Sequence, residues 1–416
     1  TLSPSPHQNA EGFHVGRSPA LESHSHPRCA ISFVPDTRLS SMGGTGHIGG
    51  AVLDLLVQTW PDVEIQVLAR DEQKAAKVTA KYPQVQCVVG DFASLEMIEV
   101  TCRGVDIVVN AGPDITHDET LKAVIRGLQG REGSGVKPYY IHTSGAYLIC
   151  DLREPGGVKS EKVWDDVEDN EQLVSMPDTA VHRVTDKSLH ASNSTKPIVK
   201  LVLSAAPHVN VAIMSPAGVT GISPSVGHPL PITMPALFQC VRAFRSAFMI
   251  GEGANAVGMI HVRDFARMYM VLIDEALTTL AGDNKADSPP PPFPIWGEKA
   301  YYFASAVDTL YRRDWFAGLA PLLQKHGVVS SREVKSVTTA EVARRVLFGD
   351  NYDPDAAAPP PDSWATHIAH GMGANLRIRA SRMRALGWEP EYLSFMETMD
   401  ELIPAYIQWE KETAAK

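Results

Sequence analysis

Apolar residues fall into short runs separated by longer amphipathic stretches through the first half of the chain. Val63 to Ala69 (VEIQVLA), Val85 to Val89 (VQCVV), Val105 to Ala111 (VDIVVNA), Pro138 to Ser144 (PYYIHTS) and Val209 to Met214 (VNVAIM) have strand length and β-branched character. Between them the apolar period lengthens. Ala51 to Trp60 predicts an amphipathic helix, and His117 to Gln129 another, with Leu121, Val124, Ile125 and Leu128 on one face. Strands alternating with helices at this spacing predict an α/β chain built on a parallel, doubly wound sheet. Further on, the pattern predicts an apolar helix around Pro235 to Met249 and a glycine turn at Gly251-Glu252-Gly253. Met259 to Val262 then leads into a helix from Arg263.

The pattern fails at one place. The first strand of such a sheet is central, covered on both faces, and should be an apolar run. Thr37-Arg38-Leu39-Ser40-Ser41-Met42 stands there instead, and the better candidate, Ile31 to Val34, is cut off by Pro35-Asp36. Either a polar central strand is tolerated, or the N-terminal sequence is not a native-like first strand. Residues 1–36, rich in Ser, Pro, His and Gly over most of their length, show no periodicity and are expected to form a disordered tail. The tail's His24-x-His26-x-x-Cys29 has no second ligand cluster, and no metal site is expected.

GGTGHIG follows at 43–49. Gly43 can take a positive φ in a tight turn, Gly46 lets the backbone approach a pyrophosphate, and Gly49 is expected to let the helix pack close to the sheet. Amides such as those of His47 and Ile48, at the positive end of the helix, would then face the phosphates. Arg70 follows the second strand, where such folds read the adenosine ribose. A guanidinium there can pair with the 2′-phosphate of NADP, whereas an acidic residue would bind the 2′-hydroxyl of NAD. Asp71 is the competing signal, and the two residues also read as a solvated pair at a strand end. The balance favours NADP, with NAD as the alternative.

Composition narrows the class. The 416 residues are 44% hydrophobic and 21% charged, ample for a sizeable core. A net charge of −10 advertises neither a nucleic-acid nor an anionic-membrane partner. No apolar run approaches the ~18–20 residues of a membrane span. Five scattered cysteines without paired spacing suit a reducing, cytoplasmic compartment. Two proline-rich stretches, Pro289 to Pro294 and Pro359 to Pro361, read as surface loops.

Several further segments carry a resemblance: Gly90-Asp91-Phe92, Asn110-Ala111-Gly112, HTSG at 142–145, SPAGVTG at 215–221, GMIHVRDFA at 258–266 and ALGWEP at 385–390. With the glycine turn, they make residues 41 to 405 resemble the short-chain dehydrogenase/reductase superfamily. The likeness is to its extended and atypical branches, the NAD-dependent epimerase/dehydratases and their NmrA-like relatives. The resemblance implies a Rossmann-type domain over 37–225 and a smaller, mixed, mainly substrate-binding part over 226–416, some of whose segments return to the first. It also implies that Asp91 contacts the adenine amino group and Phe92 its ring. Asn110, Ala111 and Gly112 would lie along the adenosine ribose or the nicotinamide side, and Pro216, Ala217 and Val219 would flank the nicotinamide amide. The His261-to-Asp264 segment would be structural.

Chemistry in the superfamily rests on a Ser/Thr, a Tyr and a Lys, the ammonium lowering a phenol whose ordinary pKa is about 10. Ser144 fits the serine, unless its hydroxyl only caps the strand end. Lys187 fits the lysine, which would also bind the nicotinamide ribose. The tyrosine position is Arg183, and a guanidinium cannot deliver a proton near neutrality. Tyr147, close after Ser144, or His182 could supply the proton instead, or the chain binds NADP without this chemistry, as NmrA-like sensors do. Arg183 itself reads as a ligand for a substrate carboxylate or phosphate, or as a solvated helix position. Leu230 to Met249 would suit a moderately apolar small molecule, and reads equally as a core helix or a homodimer face. Two functions follow as expectations: an NAD(P)-dependent oxidoreductase or epimerase/dehydratase acting on a small metabolite by hydride transfer, or an inactive NADP-binding regulator.

Overall fold

The computed structural model describes residues 37–414 apart from 113–117, 132–134, 152–154, 177–197, 283–289, 352–356, 358 and 361–362. In chain order the strands are β1 (Arg38–Met42), β2 (Glu64–Ala69), β3 (Gln86–Val89), β4 (Ile107–Asn110), β5 (Tyr139–Thr143), β6 (Trp164–Asp165) and β7 (Asn210–Pro216). They continue with β8 (Gly218–Thr220), β9 (Ala247–Ile250), β10 (Ala256–His261), β11 (Tyr301–Ala304), β12 (Val307–Tyr311), β13 (Val334–Val337) and β14 (Ile378–Arg379). Helices α1 (His47–Thr59), α2 (Glu72–Lys81), α3 (Leu95–Arg103) and α4 (Asp118–Gln129) join the first five strands.

The main sheet has the order β11-β7-β5-β4-β1-β2-β3, and every pairing in it is parallel. From β1 the chain runs outward through β2 and β3, then crosses back to β4 and continues the other way. The reversal opens a crevice at the C-terminal ends of β1 and β4, where ligands of open α/β sheets bind. Smaller sheets, β12-β10-β8 and β13-β9, form beyond it.

The polar first strand is tolerated at the centre. Leu39 to Met42 are buried, and β1 is held on both sides by β2 and β4, so its main chain is satisfied regardless of side chain. The small serines leave space. Ser40 lines a small pocket with Leu68, Val88, Met97 and Ile98. Ser40→Val should therefore stabilise the protein by about 1 kcal/mol, from the ~0.8 kcal/mol gained per buried methylene-sized group. The check is a higher urea midpoint at unchanged slope; a lower midpoint would show that the hydroxyl is needed there.

One predicted helix is shorter than expected. It spans Met234–Phe244, not Pro235 to Met249: Arg245 turns the chain at φ 53°, and Ala247 to Ile250 form β9, paired with β13. Ala247-Phe248-Met249-Ile250 is a short apolar run, which periodicity cannot assign; pairing with Val334–Val337 decides it.

The Met259–Val262 segment ends β10 and opens the helix Val262–Leu280. Asp264 is fully buried there and accepts the N–H groups of Glu391 (3.0 Å) and Tyr392 (2.9 Å), with Arg267 alongside at 3.0 Å. The Trp388 indole donates to the Asp264 carbonyl at 3.1 Å. The HVRDFA and LGWEP segments thus bind one another. Cys102, Cys150 and Cys240 are buried free thiols.

Candidate cofactor and active site

Gly43 has φ +82°, and a Cβ on it would lie 2.6 Å from the Ala111 carbonyl carbon. The turn after β1 and the turn after β4 therefore abut backbone to backbone, and only glycine fits between them. Gly46 caps α1 and its N–H donates to the Gly43 carbonyl at 2.8 Å. A Cβ on Gly49 would stand 2.2 Å from that same carbonyl oxygen. Gly49 thus lets the helix close on the turn, not on the sheet as expected, because the first helical turn folds back over Gly43. The first turn of α1 carries no acidic residue and no side-chain cap, so its positive end is left for an anion. Ile48 packs into the core beneath.

A loop that sequence reasoning missed lies across this turn. Ser225 Oγ donates to the Thr45 carbonyl at 2.8 Å and the His228 N–H to the same oxygen at 3.1 Å. His47 Nε2 bonds the Gly221 carbonyl at 2.9 Å, and burial holds its imidazole below the usual range against that bond. A Cβ on Gly50 would meet the Ser225 Cβ at 2.4 Å. The doubled glycine at 49–50 was the available signal: one admits the turn, the other the loop.

At the ribose end, Asp71 is engaged as the N-cap of α2, accepting the Lys74 N–H at 2.8 Å, with Lys74 Nζ at 3.8 Å. Arg70 is exposed and makes no hydrogen bond or ion pair among the described residues. His228 lies within electrostatic reach of Lys74 and Arg70, and its pKa is lowered first by burial and then by those charges. Asp91 Oδ1 accepts the Ala93 N–H at 2.9 Å and the Ser94 hydroxyl at 3.1 Å. Phe92 lies against the Asn110–Gly112 turn: a Cβ on Gly112 would be 2.4 Å from its Cζ.

At the other end, a buried polar row braces the turn after β4. Asn110 Oδ1 accepts the Gly112 N–H at 3.0 Å, Asn110 Nδ2 donates to Tyr140 Oη at 3.2 Å, and Tyr140 Oη meets His142 Nδ1 at 3.0 Å. Ser144 is half-buried; its N–H donates to the Met214 carbonyl at 2.8 Å, and its hydroxyl caps nothing among the described residues. Tyr147 stands in a 3-10 turn, Ala146–Ile149, its ring 4.3 Å from that of His367 and its hydroxyl donating to the His367 carbonyl at 3.4 Å. Burial pushes the phenol well above its ordinary value. Pro216 ends β7; the Ala217 N–H reaches the Ala304 carbonyl at 3.4 Å, and Val219 pairs with Ile260. Gly43, Asn110–Gly112, Ser144 and Pro216 thus follow one another along the C-terminal edges of β1, β4, β5 and β7. His182, Arg183 and Lys187 lie outside the described residues, as does the His24–Cys29 pattern.

Residues 43–151 match a family model described as NAD(P)H-binding. This stretch is an NAD(P)H-binding domain. It carries the glycine turn, the turn after β4, Ser144 and Tyr147, all on the crevice side of the sheet. Over 358 residues the chain is 25% identical to the oxidase ucsJ of an Acremonium species, covering 85% of this chain and 92% of that protein. Its fold is that of the extended short-chain epimerases and dehydratases. A dTDP-glucose 4,6-dehydratase from Bacillus anthracis in complex with NAD superposes with a TM-score of 0.53 at 14% identity, over 90% of this chain and 98% of that one. A UDP-glucose 4-epimerase from Bifidobacterium longum in complex with NAD+ and UDP gives 0.51 at 13%, over 88% and 96%. Among the described residues no helix is long and apolar enough to cross a membrane, and no cluster of His, Cys, Asp or Glu is arranged to hold a metal ion.

Proposed function

We propose that the chain is an NADPH-dependent oxidoreductase acting on a carbonyl or alcohol of a small metabolite. One observation carries the cofactor choice: Arg70, at the end of β2, is exposed and unpaired among the described residues, while the competing carboxylate, Asp71, is held as a helix cap. The turn closed by Gly43 and Gly49 and left open at Gly46 fits a pyrophosphate, with His47 and Ile48 at the helix end. Asp91 and Phe92 fit the adenine side, Asn110 to Gly112 the ribose, and Pro216, Ala217 and Val219 the nicotinamide. When bound, the nicotinamide gives or takes a hydride. The relative named an oxidase supports a redox reading.

In this reading Ser144 orients the substrate oxygen and Tyr147 protonates it. A phenol held above its ordinary value is a poor base but still a stronger acid than an alcohol, so it can donate to a developing alkoxide. Lys187 would bind the nicotinamide ribose, and Arg183 a substrate anion.

Arg70→Ala should weaken NADPH roughly 10- to 100-fold, the ~1.5–3 kcal/mol of a charge-assisted contact, and leave NADH nearly unchanged. Fluorescence titration with both nucleotides decides this, and equal losses would remove the basis for NADP. Turnover is tested by following nicotinamide absorbance over a panel of aldehydes and ketones. Ser144→Ala and Tyr147→Phe should each slow it by about 100-fold with cofactor affinity unchanged. Tight NADPH binding without turnover on any panel member would instead favour a regulator, consistent with Arg183 at the usual tyrosine position.

A further inference from the structure

The loop from Gly221 to Pro229 lies well beyond residues 43–151, yet it is fastened to them at several points. Lys81 Nζ donates to the Pro224 carbonyl at 2.6 Å, Ser225 Oγ and the His228 N–H both donate to the Thr45 carbonyl, and the His47 ring bonds the Gly221 carbonyl. The loop also holds itself. The Ser223 N–H donates to the Pro229 carbonyl at 2.8 Å, and Ser225 Oγ accepts the N–H groups of Gly227 and His228, both at 3.2 Å. A Cβ on Gly227 would lie 2.5 Å from the Thr45 oxygen, so the loop approaches the glycine turn as closely as glycine allows. Ser225 is the centre of this arrangement: one hydroxyl ties the loop to Thr45 and fixes the backbone of His228.

His228 is thereby set beside two cations from other elements, Lys74 in the first turn of α2 and Arg70 at the end of β2. Both lie within electrostatic reach of the imidazole and, after burial, hold it below its ordinary range. Asp71 does little to offset them: one carboxylate oxygen caps α2, and the other stands 3.8 Å from Lys74 Nζ. Basic groups gathered in this way repel one another until an anion enters among them. Arg70 and His228 are exposed, so an anion can reach both from solvent. A phosphate has the oxygens to accept from several donors at once, and its charge favours the imidazolium that the two cations disfavour.

We propose that His228, carried in by this loop, joins Arg70 and Lys74 in binding the 2′-phosphate of NADPH, with Ser225 as the residue that positions it. This rests on the NADPH reading of the cofactor site. The full chain is titrated calorimetrically at pH 7 with NADP+ and NAD+. Adenosine 2′,5′-bisphosphate and adenosine 5′-monophosphate, which differ only in that phosphate, are titrated alongside. His228→Gln should weaken both 2′-phosphorylated ligands by roughly five- to ten-fold and leave the other two unchanged. His228→Lys should keep most of the preference, since it restores a cation at the same place. Ser225→Ala should weaken the phosphorylated pair by roughly three-fold, and by no more once His228 is already glutamine, because it acts through that side chain. A preference for the 2′-phosphate that survives intact in His228→Gln would overturn the proposal and leave the NADPH reading standing. Equal losses for phosphorylated and unphosphorylated ligands would make His228 a structural residue and overturn it too, as would a lysine variant no better than glutamine. A Ser225→Ala loss that is undiminished in the His228→Gln chain would remove the positioning role. Native protein that binds NAD+ as tightly as NADP+ would sink the cofactor reading, and this one with it.

Discussion

Gly49→Ala should abolish dinucleotide binding and destabilise the fold together. The new Cβ would lie 2.2 Å from the Gly43 carbonyl oxygen, and that oxygen cannot retreat. Gly43 is fixed at φ +82°, and the backbone of Ala111 and Gly112 fills the space a side chain on it would need. The clash is backbone against backbone, with no flexible side chain to give way, so overpacking should cost about 3 kcal/mol or more. Relief requires the first turn of α1 to lift, which moves the amides proposed to bind the phosphates. A misplacement of that kind should weaken NADPH by more than about 100-fold, equivalent to ~2.7 kcal/mol. Gly46→Ala separates the two effects. Its Cβ would meet only the Gly43 oxygen, at 3.1 Å, and otherwise stand on the side proposed for the pyrophosphate. It should lower cofactor affinity strongly and the urea midpoint little. Native-like NADPH affinity in Gly49→Ala would show that the nucleotide does not rest on this turn.

The parts legible in the sequence were those whose signal is local. β2 to β5 and β7 alternate with helices of different apolar period, so the parallel, doubly wound sheet follows from the pattern. The glycine spacing locates the turn. Arg70 could be preferred to Asp71, but the contact that engages Asp71, its carboxylate capping the Lys74 N–H, could not be read. What was illegible depends on contacts between distant residues. Ser40 and Ser41 argue against a central strand, yet ladders from both β2 and β4 hold it there. Ala247 to Ile250 could continue a helix until β13 pairs with it. The loop from Gly221 to Pro229 touches Thr45 across some 180 positions of sequence, as the bond from Ser225 shows.

The same dependence on distant contacts sets the second large effect. Asp166, fully buried, joins the segment after β6 to two separate parts of the chain. Its Oδ2 accepts the Phe303 N–H of β11 at 2.9 Å, its Oδ1 accepts the Arg382 N–H at 2.9 Å, and its carbonyl accepts Arg382 Nε at 2.9 Å. Asp166→Ala leaves two buried N–H groups without acceptors and removes the carboxylate beside the nearly buried Arg382 guanidinium, and should cost about 3–5 kcal/mol. Asp166→Asn keeps one acceptor and should cost roughly half as much. Burial raises the carboxyl to about 7, against the lowering effect of both N–H donors and of Arg382. The folded pKa thus exceeds the unfolded value of about 3.9, so folding takes up a proton between them. The stability this contributes is fully present below pH ~4 and is lost as pH rises through ~7. Asparagine does not titrate. The urea-midpoint gap between the native protein and Asp166→Asn should accordingly narrow from pH 5 to pH 8. A gap that stays constant from pH 5 to pH 8 would mean instead that Arg382 and the two amides outweigh desolvation and hold Asp166 as a carboxylate throughout.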